Sequence, residues 1–224
     1  MAILQLHMNS NLYLRNPQET ELGRKIVEEG IAMIDELGFE KFTFKKLAKS
    51  IESTEASIYR YFENKHKLLI YLIEWYWNWL EYRIDFSTQN INDPIKKLEI
   101  ALGIVAENKL RDQSFPQIDE AALYRIVILE SDKTYMTKQV DDDNKEGSFK
   151  GFKSLCKTIA SYITEYNPNY SFPHSLISTA LQAAHHQLFY AEHLPSLSDL
   201  GNGNEIHEQS SRFLLDMVFK TIKA

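Results

Sequence analysis

Cysteine occurs once in this 224-residue chain, at Cys156, which excludes a disulfide framework and any zinc site built on several thiolates. With no other nucleophilic signature around it, that thiol reads as a small buried apolar side chain. Long apolar runs are missing too. The longest, Leu68 to Ile73, has six residues, far short of the roughly 20 that span a bilayer. The first fourteen residues hold no Lys or Arg and so lack the basic start of a secretion signal. No Gly-x-Ser-x-Gly elbow is present, and Gly201-Asn202-Gly203 lacks the third glycine and the preceding strand of a phosphate-binding loop. A two-metal carboxylate site in a helical bundle needs two Glu-x-x-His motifs; one occurs, Glu63 to His66. His185, His186 and His193 do not substitute for it, because adjacent residues diverge by about 100° on a helix. The reading is no catalytic site, no metal and no cofactor. With 44% apolar and 25% charged residues, the chain is expected to be a folded, soluble, reduced, cytoplasmic protein.

Glycine and proline are scarce, at eight and six, and their positions divide the chain. Pro17, Pro94, Pro116, Pro168, Pro173 and Pro195 all fall where the apolar periodicity breaks. Between them the spacing is helical. From Glu19 to Leu37 the positions Leu22, Ile26, Gly30, Ile34 and Leu37 recur every three or four residues, and Gly38 stands where a left-handed helix cap belongs. Asp93-Pro94 reads as an N-cap and first turn, opening a helix to about Leu110. Further helices are expected at about Gln117–Ser131, Asp132–Val140, Lys145–Tyr166, His174–Leu194 and Asn204–Lys223. Strand signals are weak and there is no internal repeat. The fold class is all-α, with nine or ten helices.

From Leu68 to Tyr82 one apolar stripe runs through Leu69, Leu72, Ile73, Tyr76 and Leu80, and a second through Leu68, Leu72, Trp75, Trp79 and Tyr82. A helix apolar on two faces packs between two bodies. It reads as a connector between a small N-terminal unit and a larger C-terminal one. The expected organisation is an arm over residues 1–16, a three-helix unit over 17–67 and a helical domain over 68–224.

The informative stretch is Phe42 to Lys67. Thr43 can cap a short helix, Phe44 to Ser50, with Leu47, Ala48 and Ile51 facing inward. A tight turn leads to Thr54, which can cap a second helix running to about Tyr61. Two short helices joined in this way are the helix-turn-helix layout, whose second helix presents its first residues to the major groove. Ile58 points to the core, leaving Glu55, Ala56, Ser57, Tyr59 and Arg60 outward.

These residues resemble the DNA-binding domain of the TetR (tetracycline-repressor-like) family of bacterial transcription regulators. The likeness rests on Leu37-Gly38, Phe42-Thr43, Leu47-Ala48, Thr54, Ala56-Ser57-Ile58-Tyr59, Tyr61-Phe62 and Lys65-His66-Lys67-Leu68. It implies contacts to phosphate from Thr43, Lys45 and Lys65, to the DNA backbone from Thr54 and Ser57, and to a phosphate or a base from Tyr59, with Lys46 and Tyr61 also counted among the DNA-binding residues. It also implies that Glu55, Ala56 and Arg60 abut bases. Two positions depart from the family pattern. Glu52 occupies a turn position that is usually glycine, at a cost of about 1 kcal/mol. Glu55 places an acid towards the groove, where it would accept from a cytosine amino group. Between Arg15 and Ile70 ten basic residues balance ten acidic ones, so sequence-independent attraction to DNA should be weak.

The resemblance further implies a homodimer, with Leu176, Ala180, Leu181, Ala184 and Leu188 on one helix and Leu214, Met217, Val218, Thr221 and Ile222 on the next; the alternative is that both helices close the monomer's own core. It implies a double-stranded DNA operator, no membrane, and a small, largely apolar effector enclosed by aromatics: Trp75, Trp79, Tyr82, Tyr124 and Phe152. The rival reading is a helical dimeric interaction protein of the same fold that has lost DNA binding, suggested by Glu52, Glu55 and the neutral local charge.

Overall fold

In the computed structural model, residues 6–110, 112, 114–201, 203 and 205–223 are described. Eleven α-helices and no strand occur among them: α1 Glu21–Leu37, α2 Phe44–Ser50, α3 Glu55–Tyr59, α4 Lys65–Thr88, α5 Pro94–Ala106, α6 Glu120–Glu130, α7 Asp132–Tyr135, α8 Val140–Lys145, α9 Lys150–Tyr166, α10 Pro173–His193 and α11 Ile206–Ile222. The chain forms two compact units, one of residues 1–78 and 109–151, the other of residues 79–108 and 152–224. It crosses between them three times, inside α4, between α5 and α6, and inside α9.

In the first unit, α1 buries Ile26, Val27, Gly30, Ile31 and Ile34, the stripe its periodicity marks. Thr20 caps its start by accepting from the Gly23 N–H, and Gly38 (φ 77°) ends it by donating to the Ile34 carbonyl. Thr43 and Thr54 cap α2 and α3 in the same way, accepting from the N–H groups of Lys46 and Ser57. Leu68 to Ile73 of α4 are all at most 1% exposed, as expected of a helix apolar on more than one face. The helix-turn-helix shares this unit with α6, α7 and α8, so it is more than the three helices up to residue 67. Arg125 of α6 holds Asp35 of α1 through bonds of 2.9 and 2.6 Å. Lys67 of α4 holds Asp143 and Glu146 at 2.8 and 2.7 Å.

The expected helix over Asp132–Val140 is instead two short ones. The buried Thr134 turns its hydroxyl back to the Ser131 carbonyl, and Met136 leaves the helical region at ψ 53°. Gly147 (φ 77°) then separates α8 from α9, which starts at Lys150 and not at Lys145. Helix α5 stops at Ala106, because Glu107 is extended.

Of the arm, residues 1–5 lie outside the described residues, and residues 6–16 are packed. Met8 and Leu12 are buried, and the Asn9 and Asn11 side-chain amides donate to the carbonyls of Glu146 and Gly147.

In the second unit, α10 and α11 pack against each other and against α5. The start expected for the last helix, Asn204, lies outside the described residues. Ala180, Leu181, Ala184 and Leu188 of α10 and Leu214, Val218 and Ile222 of α11 are buried within this one chain. That corrects their assignment to a subunit interface: the strongest apolar stripe on each helix closes its own core. Leu176 and Met217 stay half-buried and Thr221 exposed.

Candidate nucleic-acid interface

The turn between α2 and α3 carries the one positive-φ residue other than glycine among the described residues, Glu52 at φ 53°. The chain needs a left-handed residue here so that the Ser53 N–H can close on the Ala48 carbonyl at 2.8 Å. Leu47, Ala48 and Ile58 fill the space beneath, at 4% exposure or less. Helix α3 is thereby fixed with Glu55, Ala56, Tyr59 and Arg60 exposed and Ser57 half-buried.

The polar groups on this face are mutually ordered. Thr54 and Ser57 hydroxyls lie 2.9 Å apart, and Arg60 donates to the Ser57 hydroxyl at 3.3 Å. Tyr59 is 48% exposed, and its ring meets Phe44 edge-on at 5.1 Å, so the phenol is aimed by a buried aromatic. Thr43 and Lys45 are exposed at the start of α2. Lys46 is exposed as well, with its ammonium bonded to the Lys41 carbonyl at 2.7 Å.

Two expected contacts are relocated. Tyr61 is 2% exposed, and its hydroxyl shares a hydrogen with Thr20 at 2.7 Å, which ties the end of the reading helix to the start of α1. Lys65 is half-buried and turned inward. Its ammonium reaches the carbonyls of Phe39, Glu40 and Phe42 at 3.0, 3.4 and 3.4 Å and lies 4.5 Å from the Phe39 ring centroid. With its donors spent on the α1–α2 turn, it supports the motif and does not face outward. Lys67 is committed likewise: burial opposes its charge, but the hydrogen bonds to Asp143 and Glu146 outweigh that and raise its pKa.

One supporting residue has no local signal. Glu130 of α6 is buried, and one carboxylate oxygen accepts from the Phe39 N–H at 3.0 Å, while the other meets Lys133 at 2.6 Å. Ninety-one positions separate Glu130 from Phe39, so no spacing rule reaches it.

The five aromatics expected to line an effector pocket do not fall in one unit. In the first unit, Trp75 meets Phe115 edge-on at 5.3 Å, and Tyr124 stacks on Tyr76 at 5.8 Å, where burial pushes its hydroxyl pKa up. In the second, Arg83 lies 5.1 Å from the Trp79 ring centroid, Tyr82 is 36% exposed beside Phe86, and Phe152 is half-buried. Two open cavities of the first unit flank α1. One, of about 430 Å³, touches Glu28, Glu29 and Glu52; the other, of about 280 Å³, touches Asp35, Asp119 and Arg125. Neither is lined by any of the five. Among the described residues, no helix is long and apolar enough to cross a membrane, and no cluster of His, Cys, Asp and Glu is placed to hold a metal.

A capped two-helix motif with an exposed Tyr-Arg pair defines a helix-turn-helix DNA-binding protein. The family described as bacterial regulatory proteins, tetR family, matches residues 26–72, the segment from α1 into α4. Similar folds include the fatty acid degradation regulator FadR from Bacillus halodurans (18% identity, 85% of this chain and 93% of that one, TM-score 0.58). The ketosteroid transcriptional regulator KstR2 of Mycobacterium tuberculosis is another (13%, 92% and 97%, 0.56). A third is AibR, solved with isovaleryl coenzyme A and operator DNA (15%, 87% and 97%, 0.55). No curated protein matches by sequence. Residues 26–72 thus carry the tetR-family match, and the chain as a whole shares the fold of these solved regulators.

Proposed function

We propose that this protein is a ligand-responsive repressor that binds a palindromic operator as a homodimer and is released by a small, largely apolar effector. The observation that carries the reading is the exposed face of α3. There Ala56, Tyr59 and Arg60 stand outward on a helix whose cap, turn and core contacts leave it no other orientation. Thr43, Lys45, Thr54 and Ser57 supply neighbouring donors for phosphate, and Lys46, which spends one ammonium donor on the Lys41 carbonyl, has two more. Glu55 is exposed at the N-terminal end of the helix, where a carboxylate can accept from a cytosine amino group. Two-fold pairing is what two half-sites one helical turn apart require. An effector with an apolar part is supported by the names of the similar folds, a fatty acid degradation regulator and a ketosteroid regulator, and by the apolar acyl end of the isovaleryl coenzyme A bound to AibR.

The test is selection of duplexes from a random library by the full chain, followed by equilibrium binding. The expected outcome is one enriched inverted repeat, bound by a dimer on light scattering. Arg60→Ala and Tyr59→Ala should abolish binding and leave the dimer intact. Glu55→Ala should lose discrimination at one cytosine; equal gains on every sequence would mean charge relief alone. A stable dimer that enriches no duplex would favour the interaction-protein reading.

A further inference from the structure

The basic residues of the DNA-binding segment divide by what already holds them. Lys25 is paired with Glu21, Arg24 is bonded to the Gln18 carbonyl, and Lys46, Lys65 and Lys67 are engaged as described above. Among the described residues, Arg15 makes no ion pair and no hydrogen bond. It is exposed, with its guanidinium carbon 5.5 Å from the centroid of the Tyr61 ring. Residues 1–16 contain no Asp or Glu, and Arg15 is their one Lys or Arg, so the arm contributes an uncompensated positive charge.

Its position is built. The arm is pinned near one end by Asn9 and Asn11 on the carbonyls of Glu146 and Gly147, and along its length by the buried Met8 and Leu12. At the other end the Leu14 N–H donates to the Tyr61 carbonyl at 2.8 Å, one residue beyond Arg60. A guanidinium resting on an aromatic ring keeps its N–H donors unspent. The ordering cost is met in folding and not at association.

We infer that Arg15 is a second DNA contact, a preplaced donor to the phosphate flanking the bases read by α3. This rests on the operator reading above. Phosphate contacts carry no sequence information, but each released counterion adds about 0.9 to the salt slope. A dimer losing Arg15 in both halves should therefore lose about two from that slope. At 0.1 M salt, that corresponds to an affinity loss on the order of tens-fold.

The experiment measures binding of the full chain and of Arg15→Ala, Arg15→Lys and Arg60→Ala to the selected duplex and its single-base variants, across a salt series. Arg15→Ala is expected to weaken every duplex by the same factor and to flatten the slope, while Arg15→Lys keeps the slope. If Arg15→Ala matches the unaltered chain in affinity and slope while Arg60→Ala fails to bind, the Arg15 inference is overturned and the operator reading stands. Lower affinity at unchanged slope would make Arg15 a structural tie and also overturn it. A chain that selects no duplex removes both readings.

Discussion

Replacing Glu130 should unsettle the DNA-binding motif from a distance. Its carboxylate accepts the buried Phe39 N–H immediately after the positive-φ Gly38, at the corner between α1 and α2. Glu130→Met keeps roughly the volume and removes a buried charge, a change that alone is neutral or stabilising. It also leaves the Phe39 N–H without an acceptor, which costs about 1–3 kcal/mol, and deletes a half-exposed pair with Lys133 worth at most about 1 kcal/mol. The expected net loss is about 2 kcal/mol. Glu130→Gln retains an acceptor oxygen and should lose about half of that. Urea unfolding followed by tryptophan fluorescence suits the measurement, because Trp75 and Trp77 are buried in the same unit. With a slope of about 2 kcal/mol per molar, Glu130→Met moves the midpoint down by about 1 M. A midpoint within about 0.2 M of the unaltered chain, or Gln falling as far as Met, refutes the orphaned-donor argument.

Lys65→Ala should lower the urea midpoint, since it strips donors from three carbonyls, whereas Lys45→Ala should leave the midpoint alone and flatten the salt slope of DNA binding by about two for a dimer. The reverse pattern would return Lys65 to the DNA face. Gly23→Ala should destabilise by more than about 2 kcal/mol, because a Cβ there would lie 2.4 Å from the Pro17 carbonyl oxygen. Gly30→Ala, whose Cβ would lie 3.4 Å from Leu68, should change stability by less than about 1 kcal/mol in thermal melts. Burial raises the Glu120 carboxyl to about 7 against an ordinary 4.5. Between those values the folded chain keeps a proton that the unfolded chain has lost, so this residue's contribution to stability falls as pH rises through that window. Glu120→Gln should flatten the melting-temperature profile from pH 5 to 8; parallel profiles would remove Glu120 as the cause.

What could be read from the sequence was whatever depends on neighbours a few positions apart. Thr43, Thr54, Gly38 and Asp93-Pro94 act within one helical turn, and each performs the expected local task. The inward set of Leu47, Ala48 and Ile58 follows from helical period alone. Spacing failed where a side chain chooses between two partners that are both chemically suitable. Lys65 at the start of a helix suits a phosphate, but it suits three clustered carbonyls equally, and those come from residues 23 to 26 positions earlier. The resemblance groups Tyr61 with the DNA-contacting residues, but the end of α3 turns it onto Thr20, 41 positions away. The dimer stripes failed for a related reason. A run such as Ala180, Leu181, Ala184 and Leu188 specifies a face that must be covered, and its own chain covers it as well as a second copy would. The same logic applies to the arm's positioning of Arg15. Residues 6–16 have no periodicity of their own, and their order comes from carbonyls more than 130 positions along the chain and from the ring of Tyr61. The sequence thus marks which groups need partners, and only tertiary structure decides which partners they take. At this interface that decision separates cations still free to meet DNA from those already spent on holding the reading helix in place.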